Sequence, residues 1–135
     1  MTVEVADAPE LRFDAGLPGF PAANRFALVR WGGDASPFAL LQSLDDEALA
    51  FVVVPPEVFF PTYTPEIDDS TIERLGVTRA EDVLLLVIIT LGQTPADATA
   101  NLLGPIVVNT VTSQAAQAVL QGQPWTSRTP LHTPK

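Results

Sequence analysis

A nucleophile relay needs a positioned imidazole, and the only histidine in this chain, His132, stands between Pro130 and Pro134 in the final stretch of the sequence. Terminal mobility is expected there, which is incompatible with holding a base in hydrogen-bond reach of a hydroxyl. Cysteine is absent, which removes thiolate catalysis, disulfides and thiolate-held zinc together. Asp45, Asp46 and Glu47 are adjacent acids without the spaced oxygen ligands and pivoting glycine of a calcium loop, and they read as a solvated turn. Gly16 and Gly19 bracket Leu17 and Pro18 without the lysine and hydroxyl of a phosphate-cradling loop, so they read as a tight turn. Glu66, Asp68 and Asp69 sit beside turn residues with no apolar pocket in view to raise a carboxyl pKa. The expectation is a protein with no catalytic residues, no metal and no cofactor.

What the sequence does offer is binding chemistry. Phe59, Phe60 and Tyr63 lie around Pro61 and run into an acidic stretch, combining apolar anchors with steering charge. Adjacent strand residues face opposite ways, so one phenylalanine is equally suited to the core. Glu66, Asp68, Asp69, Glu73, Glu81 and Asp82 are offset by Arg74 and Arg79 alone, and no acid follows Asp97. If the fold gathers them, they form a negative patch for a partner rich in lysine and arginine. Phe60 and Tyr63 as anchors, with Glu66, Asp68, Asp69 and Asp82 as charges, are the candidate partner-binding residues. The formal charge of -9 opposes direct nucleic-acid binding and speeds encounter with basic partners, though it also serves plain solubility.

These residues need a scaffold, and 135 residues with 47% apolar and 17% charged content suit one domain with a true core. Thirteen prolines and eight glycines cut the chain too finely for a helix bundle. Runs rich in branched and aromatic residues at 26–31, 38–42, 51–54, 83–91, 98–103, 106–108 and 116–120 read as strands. Several are continuously apolar, which implies burial on both faces. The predicted fold is mostly β, a small antiparallel barrel or sandwich-like single domain over 1–135 with one or two short helices. Ser70 and Glu73 have capping-box spacing for one helix that ends near Gly76, with Ile72 and Leu75 facing the core. Thr78 and Glu81 repeat the spacing as a single capped turn. Asn101 and Asn109 flank Gly104-Pro105 and read as amides that satisfy backbone groups at bends. From about 121 the tail is expected to be loosely attached, except that Trp125 packs back on the body. The N-terminal stretch carries Glu4, Asp7 and Glu10 where an export signal would be basic and then apolar. The run at 83–91 is about half the length of a membrane-spanning helix. A soluble, cytoplasmic protein is expected.

Across 16–131 the order of segments resembles the FliW family of flagellar assembly factors. The strings that carry the likeness are Gly16-Leu17-Pro18-Gly19-Phe20, Ser36-Pro37-Phe38 leading to Leu41-Gln42-Ser43, Leu49-Ala50-Phe51 with Val52 to Val54, Phe59-Phe60-Pro61 with Tyr63, and Glu81-Asp82-Val83. The block from Ala98 through Asn101-Leu102-Leu103-Gly104-Pro105 to Asn109 completes it. Three departures stand out: Pro55-Pro56 where an acidic or amide residue usually precedes the proline, a 110–116 turn without the usual glycine and basic residues, and Thr129 where histidine is frequent. The resemblance implies a non-enzymatic partner switch in the cytoplasm, binding flagellin and antagonising the RNA-binding translational repressor CsrA, a monomer when unbound. A small β-barrel ligand-binding protein or hydrolase is the alternative, and an oligomer subunit a third reading.

Overall fold

The computed structural model describes residues 10–13, 24–30, 36–93, 97–120 and 122–131. The turn expected at Gly16 and Gly19, the strand end expected at Trp31, and His132 lie outside these residues. Among the described residues, nine strands form: β1 (Glu10–Arg12), β2 (Arg25–Arg30), β3 (Ala39–Ser43), β4 (Ala50–Val54), β5 (Val83–Thr90), β6 (Thr99–Ala100), β7 (Ile106–Asn109), β8 (Gln114–Gln117) and β9 (Thr129–Pro130). One α-helix, α1 (Asp69–Leu75), and short 3-10 turns at Pro56–Val58 and Ala80–Asp82 lie between β4 and β5.

The sheet order is β4-β3-β2-β1-β8-β7-β5-β6-β9, and a further pairing of β4 with β5 closes seven of the strands into a barrel. All pairings are antiparallel except β1 with β8, a parallel contact at Arg12 and Gln114, supported by the Arg12 N–H donating to the Ser113 carbonyl at 2.9 Å. Strands β6 and β9 form a ribbon outside the ring, held to the far end of β5 through Ile89 and Thr90.

The wall explains the continuous apolar runs. Along β5, Leu84, Leu86 and Ile88 point into the barrel, where they meet Phe13, Phe26, Leu41 and Val53. The residues between them point outward: Val83 and Leu85 pack beneath α1, and Val87 and Ile89 pack beneath Phe59, Phe60 and Tyr63. Strands β4 and β7 divide the same way, Phe51 and Val53 inward with Val52 and Val54 outward, Ile106 and Val108 inward with Val107 outward. Side chains alternate across a strand, so a run without polar residues requires cover on both faces. Inside, Phe13 meets Phe26 edge-on at 5.3 Å between ring centroids.

Several boundaries differ from the sequence expectation. Strand β8 occupies Gln114–Gln117, earlier than 116–120, because small alanines and half-buried glutamines pair there without an apolar run. The strand expected at 98–103 shortens to Thr99–Ala100, since the Leu102 and Leu103 N–H groups both turn to the Thr126 carbonyl. Strands β1 and β9 were not expected; each is two or three residues long and defined only by its partners.

The cap of α1 is also corrected. Asp68 caps the helix, accepting from the Thr71 N–H at 3.2 Å and the Thr71 hydroxyl at 2.7 Å, while Ser70 donates its own hydroxyl to the same carboxylate. A charged acceptor at a helix N-terminus satisfies an orphan N–H and favours the backbone dipole, which a serine two positions further on cannot match. The helix ends at Gly76, whose φ of 69° places it in the left-handed region. There the Gly76 N–H reaches the Glu73 carbonyl and the Val77 N–H reaches back to Ile72 at 3.2 Å, the paired bonds of a Schellman ending. Thr78 caps nothing: the following 3-10 turn has Arg79 at its cap position without a side-chain bond, and Glu81 pairs with Arg79.

Candidate partner-binding surface

Between β4 and β5 the chain leaves the barrel and returns across its outer wall, and the predicted site residues lie on this excursion. Phe60 is half-buried in the layer over β4 and β5, 6.5 Å from the Phe59 ring, which in turn lies 5.8 Å from Phe38. Tyr63 is half-buried at the junction of that layer with the one under α1. Its hydroxyl donates to the Leu102 carbonyl at 2.6 Å, and its ring takes Trp125 edge-on at 4.7 Å. Burial pushes the phenol pKa up to about 12, because removing the ring from water penalises the phenolate.

The acids divide by what holds them. Asp68 is engaged in capping, and the hydroxyls of Ser70 and Thr71 hold its carboxyl below the usual range. Asp69 is exposed in the first turn of α1. Glu66 is exposed, and its backbone is clasped by Gln123, whose amide oxygen accepts from the Glu66 N–H at 3.0 Å and whose amide nitrogen donates to the Glu66 carbonyl at 3.1 Å. Asp82 accepts from Thr110 through its backbone carbonyl, at 2.9 Å from the N–H and 3.0 Å from the hydroxyl. Its carboxylate lies 3.7 Å from Arg79 Nε.

Between α1 and the Ala80–Asp82 turn runs an open groove of about 380 Å³, lined by Ile67, Ile72, Val77, Thr78, Arg79, Ala80 and Val83. The helix ending builds it, since the bond from Val77 to Ile72 that closes the Schellman turn sets both side chains along one side. Asp68 follows Ile67 in sequence, Glu73 follows Ile72, and Asp82 precedes Val83. Asp68 and Asp82 are thus chain neighbours of lining residues and Asp69 lies in the first turn of the helix that supplies Ile72, while Tyr63 sits in the apolar layer shared with Ile67, Val77 and Val83. Phe60 belongs to the neighbouring layer, and Glu66 is turned toward the C-terminal segment. Sequence reasoning did not single out the groove. Its one linear trace is the spacing of Ile67, Ile72 and Val77, apolar residues recurring every five positions through an acidic stretch.

Asn101 and Asn109 satisfy backbone groups at bends, as expected, and buried Asn109 also ties α1 to the barrel. The Asn109 side chain, 2% exposed, donates to the Leu75 carbonyl at 2.8 Å and accepts from the Val111 N–H at 2.9 Å. Asn101 accepts from the Gly104 N–H at 2.9 Å. Over 122–131, the segment expected to be loosely attached contributes Gln123, Trp125, the Thr126 carbonyl and β9 to the contacts already described. Among the described residues, no group of three or more His, Cys, Asp or Glu side chains is placed to hold a metal ion. No helix of the described chain is long and apolar enough to cross a membrane.

Comparison with known proteins agrees with this architecture. The family model described as "FliW protein" matches residues 1–131. A flagellar assembly factor FliW of Geobacillus kaustophilus (strain HTA426) is 40% identical over 118 residues, covering 87% of this chain and 81% of the relative. That of Bacillus subtilis (strain 168) is 40% identical over 119 residues, covering 88% and 82%. A crystal structure of the flagellar assembly factor FliW superposes with a TM-score of 0.89 at 36% identity, covering 100% of this chain and 92% of that one. A closed seven-strand barrel with one short helix, matched in sequence and in structure along nearly its full length, places this chain in the FliW family of flagellar assembly factors.

Proposed function

We propose that this chain acts in the cytoplasm as a non-enzymatic partner switch, binding flagellin subunits and antagonising the translational repressor CsrA. The observation that carries the reading is membership of the FliW family across 1–131. When flagellin is abundant it occupies the protein and leaves CsrA free to repress flagellin messenger RNA; as flagellin is exported, the released protein antagonises CsrA and translation resumes. Two competing or coupled affinities and mass action are sufficient for this behaviour. Phe60, Tyr63, Glu66, Asp68, Asp69 and Asp82 are the proposed contact residues. Six carboxylates against two arginines in 66–82 leave four net negative charges, which supports a basic partner and opposes direct binding of a phosphate backbone.

Capture from bacterial cytoplasmic extract on the tagged chain tests the proposal. Flagellin and CsrA in the eluate support it, and recovery of neither overturns it. Neutralising Glu66, Asp68, Asp69 and Asp82 together is expected to weaken CsrA binding and flatten its salt dependence; unchanged affinity discards these acids as the contact.

A further inference from the structure

The groove beside α1 combines three properties that select its occupant. Its floor is aliphatic, supplied by Ile67, Ile72, Val77 and Val83, all half-buried. Its cation is already engaged, because Arg79 pairs with Glu81 and Asp82 and has little charge left for an acidic ligand. The helix that supplies Ile72 to the groove also carries the exposed Asp69 and Glu73. A small polar metabolite is disfavoured, since such ligands are oriented by convergent polar groups, and every buried side-chain nitrogen or oxygen among the described residues already has a partner. A second copy of the chain would bring a net charge of -9 against the same carboxylates.

Resting on the protein-binding reading above, we propose that the groove docks a short amphipathic segment of a partner protein, its aliphatic side chains on the Ile67-Ile72-Val77-Val83 floor and its lysines or arginines on Asp69 and Glu73. The apolar contact supplies the affinity. The carboxylates select the sign of the partner and speed encounter. The site differs from the contact residues proposed above in its centre of gravity, which is the helix flank and its Schellman ending in place of the Phe60 and Tyr63 aromatics.

Selection of random short peptides displayed on phage against the full chain tests this. Basic amphipathic sequences are expected to be enriched, and a selected peptide is expected to shift the methyl NMR signals of Ile67, Ile72, Val77 and Val83. Ala80→Trp fills the groove from an exposed position and is expected to weaken that peptide by about tenfold or more. Asp69→Asn with Glu73→Gln is expected to weaken it about two- to fivefold at low salt, with the difference lost at high salt. Enrichment of acidic sequences, no enrichment, methyl shifts elsewhere, or undiminished binding by folded Ala80→Trp overturns the proposal. The extract capture separates the two readings. If the wild type and Ala80→Trp recover the same partners equally, the groove is not their docking site while the partner reading stands. If the wild type recovers none and the selected peptides still occupy the groove, the partner reading fails and the groove remains.

Discussion

The two halves of the barrel wall are built from different sequence patterns. Strands β2 and β3 send Phe26, Leu28 and Leu41 inward and alternate them with Arg25 and Gln42, which remain exposed or half-buried. Strands β4, β5 and β7 are apolar on both faces, and their outer residues Val54, Val87 and Val107 are fully buried beneath the 55–82 excursion and the C-terminal segment. The β4, β5 and β7 half of the wall thus serves as the floor of a second apolar layer, whereas the β2 and β3 half alternates apolar with polar residues. The lesson is that this protein has an interior core that makes the barrel and an outer one, built of two adjoining clusters that share Tyr63 and Trp125, that positions the proposed binding surface. The outer core fixes α1 and therefore the groove, so its integrity is expected to be separable from that of the barrel.

The largest expected effect comes from the amide that ties the two cores. Asn109→Ala leaves the Leu75 carbonyl and the Val111 N–H without their partner and is expected to destabilise by about 3 kcal/mol in urea unfolding. Loss of α1 hydrogen-exchange protection before that of the barrel strands would separate the cores; simultaneous loss would join them. Next, Val87→Thr, which places a hydroxyl under the outer layer, is expected to cost about 2 kcal/mol, whereas Val29→Thr on the alternating half costs less than about 0.5 kcal/mol. Equal costs would abolish the distinction between halves.

Tyr63→Phe removes the bond to Leu102 and is expected to cost about 1 kcal/mol. Because the folded phenol is raised to about 12, its contribution is complete below the unfolded value near 10 and declines as pH rises toward 12. Wild-type stability should fall over that interval more steeply than that of Tyr63→Phe, as read by chemical unfolding at fixed pH. Asp68→Ala removes the cap of α1, at about 1 kcal/mol. With its folded pKa lowered, the Asp68 contribution is present above the unfolded carboxyl pKa and lost as pH falls through the folded value, so the difference between wild type and Asp68→Ala should shrink in acid.

The smallest effect is a gain. Ser113 adopts a φ of 65° in the β7 to β8 turn, in a segment where the family resemblance leads one to expect glycine. A side chain in the left-handed region is strained, and Ser113→Gly is expected to stabilise by about 0.5–1 kcal/mol, raising the unfolding midpoint. No change would mean that the turn relaxes the strain by other contacts.

Features set by a few neighbouring residues were legible in the sequence. Branched and aromatic runs identified most of the strands, their lack of alternation implied cover on both faces, Gly76 marked the end of the helix, and Asn101 and Asn109 announced bends with backbone groups to satisfy. Where two local solutions competed, pattern alone chose wrongly: Ser70 and Glu73 have the spacing of a cap, yet the charged Asp68 two positions earlier makes the stronger bond. The candidate site residues were chosen for chemical type, and their neighbourhood along the chain was evident. Their division into a capping acid, a clasped backbone and a buried phenol was not, because each depends on Thr71, Gln123 or Leu102, residues from 3 to 57 positions away.

The sequence by itself determined a β protein with one or two short helices, an acidic 66–82 stretch and no cysteine chemistry, since propensity, periodicity and composition act within a few residues or over the chain as a whole. Only the tertiary structure decided that β1 meets β8 in parallel to close the ring, that Trp125 covers Tyr63, and that Ile67, Ile72, Val77 and Val83 converge on one groove. The physical reason is that strand pairing and burial are non-local: each pairing orders segments far apart in the chain, and it is stable only when the apolar area it buries exceeds the conformational entropy lost in joining them.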